Sequence, residues 1–175
     1  MTPKLQQSWN KLEEQQKSLL EKLKTESDLV LNKRTETDKW SAIQVLLHEI
    51  AIEENTRNYF SKKIPEASTA QKAGFKNTYF YFLLKVALAL PKKYKAPIHT
   101  IPSSEELSLE EVEQKWIKVR TELLGLIENL SDEILQKQLF KHPAGKLSIY
   151  QAIDFMYLHH AHHEKQIFEA VREAK

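Results

Sequence analysis

There is no cysteine anywhere in the 175 residues. Disulfides, thiolate metal ligands and a cysteine nucleophile are therefore excluded. Glycine is nearly as scarce, with three residues, and the surplus of Leu, Lys, Glu and Gln favours helices. An excess of one charge is also missing. Twenty-six basic residues face 24 acidic ones, so the sequence pI of 8.6 does not describe a nucleic-acid-binding surface. The lysines are interleaved with glutamates, as on solvated helix faces. Nor is there a long hydrophobic run: the most apolar stretch, YFYFLLKVALAL at residues 79–90, contains Lys85 and is too short to span a bilayer. The amino terminus, MTPKLQQSWNKLEEQQKSLLEKL, lacks the apolar core of a signal peptide. These absences predict a cytoplasmic protein without membrane or nucleic-acid partners.

What is present suits one globular domain over residues 1–175, long enough to bury a sizeable core. Five helical segments can be read. The first covers residues 3–24, where Leu5, Trp9, Leu12, Leu19 and Leu23 form a helical stripe. A polar stretch leads to a second helix over residues 39–63, ending before Pro65, and a third runs over 69–90 and stops at Pro91. The proline-rich PKKYKAPIHTIPSSEE reads as a long connection. Ser108 and Glu111 form a capping box that opens the fourth helix, to residue 130; after a turn-rich segment with His142, Pro143 and Gly145, Ser148 and Gln151 cap the last one. No strand-like alternation persists. The expected architecture is all-α: a four-helix-bundle core with an additional helical segment and a long crossover connection.

Four of the seven histidines crowd into YLHHAHHEKQI, residues 157–167. At about 100° per residue, with His163 at zero, His159 lies near −40°, Met156 near +20° and Ile167 near +40°. His159 and His163 therefore project from the middle of the apolar stripe, while His160, near +60°, and His162, near −100°, flank it. Imidazoles at i and i+4 can converge on one ion, but two ligands seldom suffice. His48, in KWSAIQVLLHEIAIEEN, is a candidate third. Its helix face also carries Gln44, Asn55 and Tyr59, neutral hydrogen-bonding groups of the kind that line a pocket. A lone buried histidine is often only a hydrogen-bonded core residue, and spacing alone does not connect His48 to the pair.

Neighbouring chemistries fail on the residues. HEIAI begins like a zinc-protease H-E-x-x-H motif, but Ile52 stands at the second histidine position. No glutamate has a histidine three residues later, as di-iron carboxylate bundles require. The nucleophile-elbow and phosphate-loop patterns are absent too.

Three stretches in order, KWSAIQVLLH, HPAGKLSIYQAI and HHAHHEKQI, resemble the DinB/YfiT-like helical metalloproteins. That superfamily includes thiol-dependent S-transferases using bacillithiol or mycothiol. The resemblance runs from Trp40 to Ile167, most of the chain. It implies a four-helix-bundle core, a metal triad at His48, His159 and His163, a divalent ion (zinc or nickel) and often a homodimer. Where many relatives have H-R-G-Q-I, this chain has His163-Glu164-Lys165-Gln166-Ile167, a departure that spares the ligands. His160 and His162 are not required by the pattern.

Three neutral imidazoles leave coordination positions open, as in catalytic zinc sites. The expected function is a metal-dependent S-transferase joining a low-molecular-weight thiol to a small electrophile; a hydrolase and a non-catalytic, metal-stabilised bundle are the alternatives. Gln44, Asn55, Tyr59 and Gln166 are candidate pocket residues, and no general base is evident. Glu49, Glu53 and Glu54 point away from His48. The second helix is also apolar at Ile43, Leu46 and Ile50, roughly 140–160° from His48. That second apolar side needs cover from its own bundle or from another subunit, and a homodimer is expected.

Overall fold

The computed structural model describes residues 1–37, 39–90, 105–142 and 145–175. Most of the long connection, residues 91–104, and Pro143 of the expected turn lie outside them. Four long helices make the bundle: α1 (Pro3–Leu23), α3 (Ala42–Lys63), α5 (Leu109–Ile127) and α7 (Ile149–Ala174). Shorter helices are α2 (Asp28–Asn32), α4 (Phe75–Ala89) and α6 (Asp132–Leu135). In the bundle, α3 packs against both α5 and α7, and α1 closes the ring by touching the same two helices. No helix among the described residues is long and apolar enough to cross a membrane.

The helix starts follow from local chemistry. Both expected capping boxes form: Ser108 and Ser148 each accept from the backbone N–H three residues on, while Glu111 and Gln151 accept from the cap residue's N–H. A third, Ser41 with Gln44, opens α3.

Two segments depart from expectation. The helix expected over 69–90 is shorter. Ile64–Thr69 forms a 3-10 turn that admits Pro65, and α4 begins only at Phe75. Between them the backbone bonds sideways instead: Ala73 N–H donates to Gln136 O at 2.9 Å and Gln138 N–H to Gln71 O at 2.8 Å. The second departure is an antiparallel hairpin, β1 (Gln138–His142) with β2 (Gly145–Ser148), where no strand was expected. Strands of five and four residues are too short to display an alternation. Gly145 sits at φ 125°, a conformation open to glycine and strained for other residues.

The apolar core is in two halves. One gathers Leu5, Trp9 and Leu12 with Leu123, Ile127, Ile153 and Met156. The other gathers Leu19, Leu20 and Leu23 with Ile43, Leu46, Trp116 and Ile167. Of the two sources of cover expected for Ile43, Leu46 and Ile50, the chain's own bundle is the one found. They are buried within the chain, in one cluster with residues of α1 and α5.

Between the halves lies a polar layer drawn from all four long helices: Gln16 on α1, Glu49 and Glu53 on α3, Arg120 on α5 and His160 on α7, all buried. Arg120 holds Glu53 with two nitrogens, Nη2 to Oε1 at 2.8 Å and Nε to Oε2 at 3.0 Å. Its Nη1 donates to Leu12 O and Gln16 Oε1, both at 2.8 Å. The guanidinium also lies 5.0 Å from the Trp116 ring centre, within cation–π range. A buried carboxylate left without its cation is strongly destabilising, while exchanging both members for apolar residues is far milder. Arg120→Leu is therefore expected to lose about 3–5 kcal/mol in urea unfolding, and Glu53→Leu added to it to restore part of that loss. A double variant no more stable than Arg120→Leu alone would show that the unpaired carboxylate is not the cause.

Candidate metal centre

Helices α3 and α7 bring His48, His159 and His163 together. One ligand atom from each lies within 4.8 Å of the others. The ring centroids are 5.4 Å apart for His48 and His159, 5.0 Å for His48 and His163, and 4.5 Å for His159 and His163. Nitrogens bound to one zinc at about 2.0–2.1 Å can be at most ~4.2 Å apart, so a small side-chain rotation closes the set. Three imidazoles with no carboxylate in the cluster suit a borderline ion such as zinc or nickel rather than magnesium or calcium. His48 is buried, while His159 and His163 are partly open.

The protonation states also fit. Burial pushes His163 down to about 4, against the opposing pull of its hydrogen bond to Gln166. Burial, reinforced by the neighbouring imidazoles, pushes His159 well below the usual range. Both rings are neutral near pH 7, the form that binds a cation. At His163 the tautomer is fixed as well. Gln166 Oε1 can only accept, so Nδ1 carries the proton at 2.9 Å and leaves the Nε2 lone pair for an ion. Aromatic rings flank the cluster: Trp40 stands 5.2 Å from His48, and Phe155 5.4 Å from His159.

The other candidate pocket residues are spread out. Gln44 accepts from Ser41 N–H at 3.1 Å in the α3 cap, one turn before His48. Asn55 is exposed two turns beyond it. Tyr59 packs edge-on to Phe140, 5.5 Å between ring centres, and lines a small cavity with Lys63, Gln138 and Lys146. Gln166 is joined to a triad member, His163, by a direct hydrogen bond.

The two flanking histidines have separate tasks. His162 Nδ1 donates to Leu88 O of α4 at 2.9 Å, pinning α4 beside the cluster. His160 does more than flank. It is buried, and its Nδ1 lies 3.0 Å from Glu49 Oε2. That approach does not have the geometry of a directed hydrogen bond. Burial pushes the Glu49 carboxyl up, and His160 pulls it back down. The expectation that Glu49 and Glu53 point away from His48 describes their direction correctly, yet neither reaches solvent. Nothing in the sequence separated these glutamates from exposed ones, because their partners come from other helices.

A helical bundle that brings three imidazoles to one point has the form of a metal-binding helical protein. The chain belongs to the DinB superfamily, whose family model matches residues 11–167. It is similar to the uncharacterized protein YuaE of Bacillus subtilis (strain 168), with 28% identity over 154 residues, 87% of this chain and 88% of that protein. No solved structure matches it.

The depressed imidazoles make metal-free stability depend on pH. Unfolded His163 takes up a proton near 6.5, whereas the folded residue does so only at about 4. Between those values the unfolded chain binds more protons, so stability falls as pH falls. Metal-free protein in chelator is expected to lose thermal stability from pH 6.5 towards pH 4, and His163→Gln to lose less over the same window. Parallel pH curves for the two proteins would contradict the assignment.

Proposed function

We propose that His48, His159 and His163 hold one divalent ion, zinc or nickel, and that the protein is a metal-dependent S-transferase joining a low-molecular-weight thiol to a small electrophile. The supporting observation is the cluster itself: three imidazoles gathered at one point, with two of them partly open. When bound, such an ion lowers the pKa of a thiol or water that binds it, and a thiolate suits a borderline-soft cation better than water does. The chain's own residues prepare the site. Gln166 fixes the His163 tautomer, burial keeps His159 and His163 deprotonated, and the Trp40 and Phe155 rings pack against His48 and His159.

The choice of thiol transfer over hydrolysis rests on two points. The family resemblance points to thiol chemistry. Hydrolysis would call for a carboxylate base beside the ion, and the nearest in sequence to His48, Glu49, is buried against His160 instead. The absence of cysteine means the nucleophilic sulfur must arrive with a cosubstrate. A cytoplasmic setting, where small thiols stay reduced, fits that need. A homodimer belongs to the same reading.

Purified protein is expected to carry about one divalent ion per chain by elemental analysis, as three-histidine sites of this type do. His48→Ala, His159→Ala and His163→Ala should each lose it, while His162→Ala keeps it. Metal-loaded protein is then assayed with glutathione, bacillithiol and free cysteine against a generic electrophile, with His163→Ala as the blank. Acceleration in the loaded protein alone supports the transferase. Metal-dependent cleavage of an ester or amide panel, with no thiol reaction, would establish the hydrolase instead. Silence in both panels would point to a bundle stabilised by its metal.

A further inference from the structure

Helix α4 is fixed to the bundle by one face, and among the described residues nothing covers the other. Its inner side buries Asn77, Tyr81 and Leu84. The Tyr81 hydroxyl bonds Asp154 of α7, and Lys85 pairs with the same carboxylate at 3.3 Å. With His162 holding Leu88, the helix is held along its length. Its outer side carries an apolar stripe: Phe75 (89% exposed), Tyr79 (53%), Phe82 (59%), Leu83, Val86 and Leu90. Taking about 200 Å² for an aromatic residue and somewhat less for an aliphatic one, these exposures leave roughly 600–700 Å² per copy. That exceeds the largest apolar patch of an ordinary monomer, about 300–600 Å². It approaches the ~800 Å² that each partner gives to a standard interface.

The stripe is also its own complement. The positions 75, 79, 82, 83, 86 and 90 are symmetric about the midpoint between 82 and 83. When two such helices run antiparallel, Phe75 meets Leu90, Tyr79 meets Val86 and Phe82 meets Leu83. Every aromatic ring then faces an aliphatic side chain, a pairing of large with small that packs without voids. The helix contains no Asp or Glu, and of its two lysines Lys85 is already paired with Asp154. No like charges are opposed, and no acidic groups await a basic partner. We propose that α4 is a dimerisation helix, pairing antiparallel with α4 of a second copy across a two-fold axis between Phe82 and Leu83. Such an isologous contact is the commonest way for soluble chains to assemble. It takes up the homodimer of the functional reading and does not depend on the metal.

Sedimentation of the full chain at micromolar concentration should give a dimer of twice 20.5 kDa. The double variant Phe82→Glu, Leu83→Glu should sediment as a monomer with unchanged helical circular dichroism. Because the chain has no cysteine, single cysteines give an independent readout that survives misfolding of the double variant. Phe82→Cys should cross-link into a covalent dimer under mild oxidation, whereas Leu29→Cys, at an 81% exposed site on α2, should not. A dimer that persists in the double variant, with no cross-link at residue 82, overturns the α4 contact but leaves the homodimer intact. A monomeric wild type overturns both. In that case, sedimentation with phosphatidylglycerol vesicles would identify a membrane-facing helix. Resistance of the thiol in the Phe82→Cys variant to maleimide would identify cover by the chain's own residues.

Discussion

The structure depends on one buried ion pair. Arg120 reaches from α5 to Glu53 on α3 and, with its remaining nitrogen, to the Leu12 carbonyl and Gln16 on α1. Apolar packing is tolerant: leucine and isoleucine stripes can slide by a turn and still bury most of their area. A guanidinium cannot. Displaced by one turn, about 5.4 Å, it would leave a buried carboxylate and a buried carbonyl without partners. The polar layer therefore selects one register for three helices, and the Glu49–His160 contact brings in the fourth.

The metal ligands inherit that register directly. His48 adjoins Glu49 and His159 adjoins His160, so each helix carries a ligand and a layer residue side by side about 100° apart. When Glu49 meets His160 on the inner side, His48 is carried towards His159 and His163 on the outer side. Two helices linked by one close pair cannot place a second pair at random. The convergence of three imidazoles is thus the outer consequence of a contact made inside the bundle. Substitutions at Glu49 or His160 should be read with that coupling in mind, because they disturb folding and ligand placement together.

How much of this was legible in the sequence varies with how local the cause is. The caps at Ser108 and Ser148 depend on residues three apart, and both formed as read. The direction of His159 and His163 depends on one helix's turn, and the structure brings the two together with His48. The polar layer was not legible. A glutamate followed by apolar residues looks the same whether its partner is water or an arginine 67 residues away. The hairpin was missed because so few residues carry no period, and the start of α4 was misplaced because residues 70–74 bond to the chain near Gln136. A helix apolar on both sides reads as buried. That reading held for α3, which packs against α5 and α7, whereas α4 leaves large apolar residues such as Phe75 and Phe82 exposed.

The interior also makes an electrostatic division of labour. A bundle with Glu49, Glu53, Arg120 and four histidines near its middle concentrates titratable groups where water screens them least. The layer keeps its opposite charges together, whereas burial holds His159 and His163 neutral beside it. Had Glu49 turned outward to the triad, its carboxylate would have favoured protonated imidazoles and offered the ion a fourth ligand. His160 prevents this by holding that carboxylate on the inner side. One histidine therefore keeps a carboxylate out of the cluster formed by the three others. That is the condition the proposed chemistry requires.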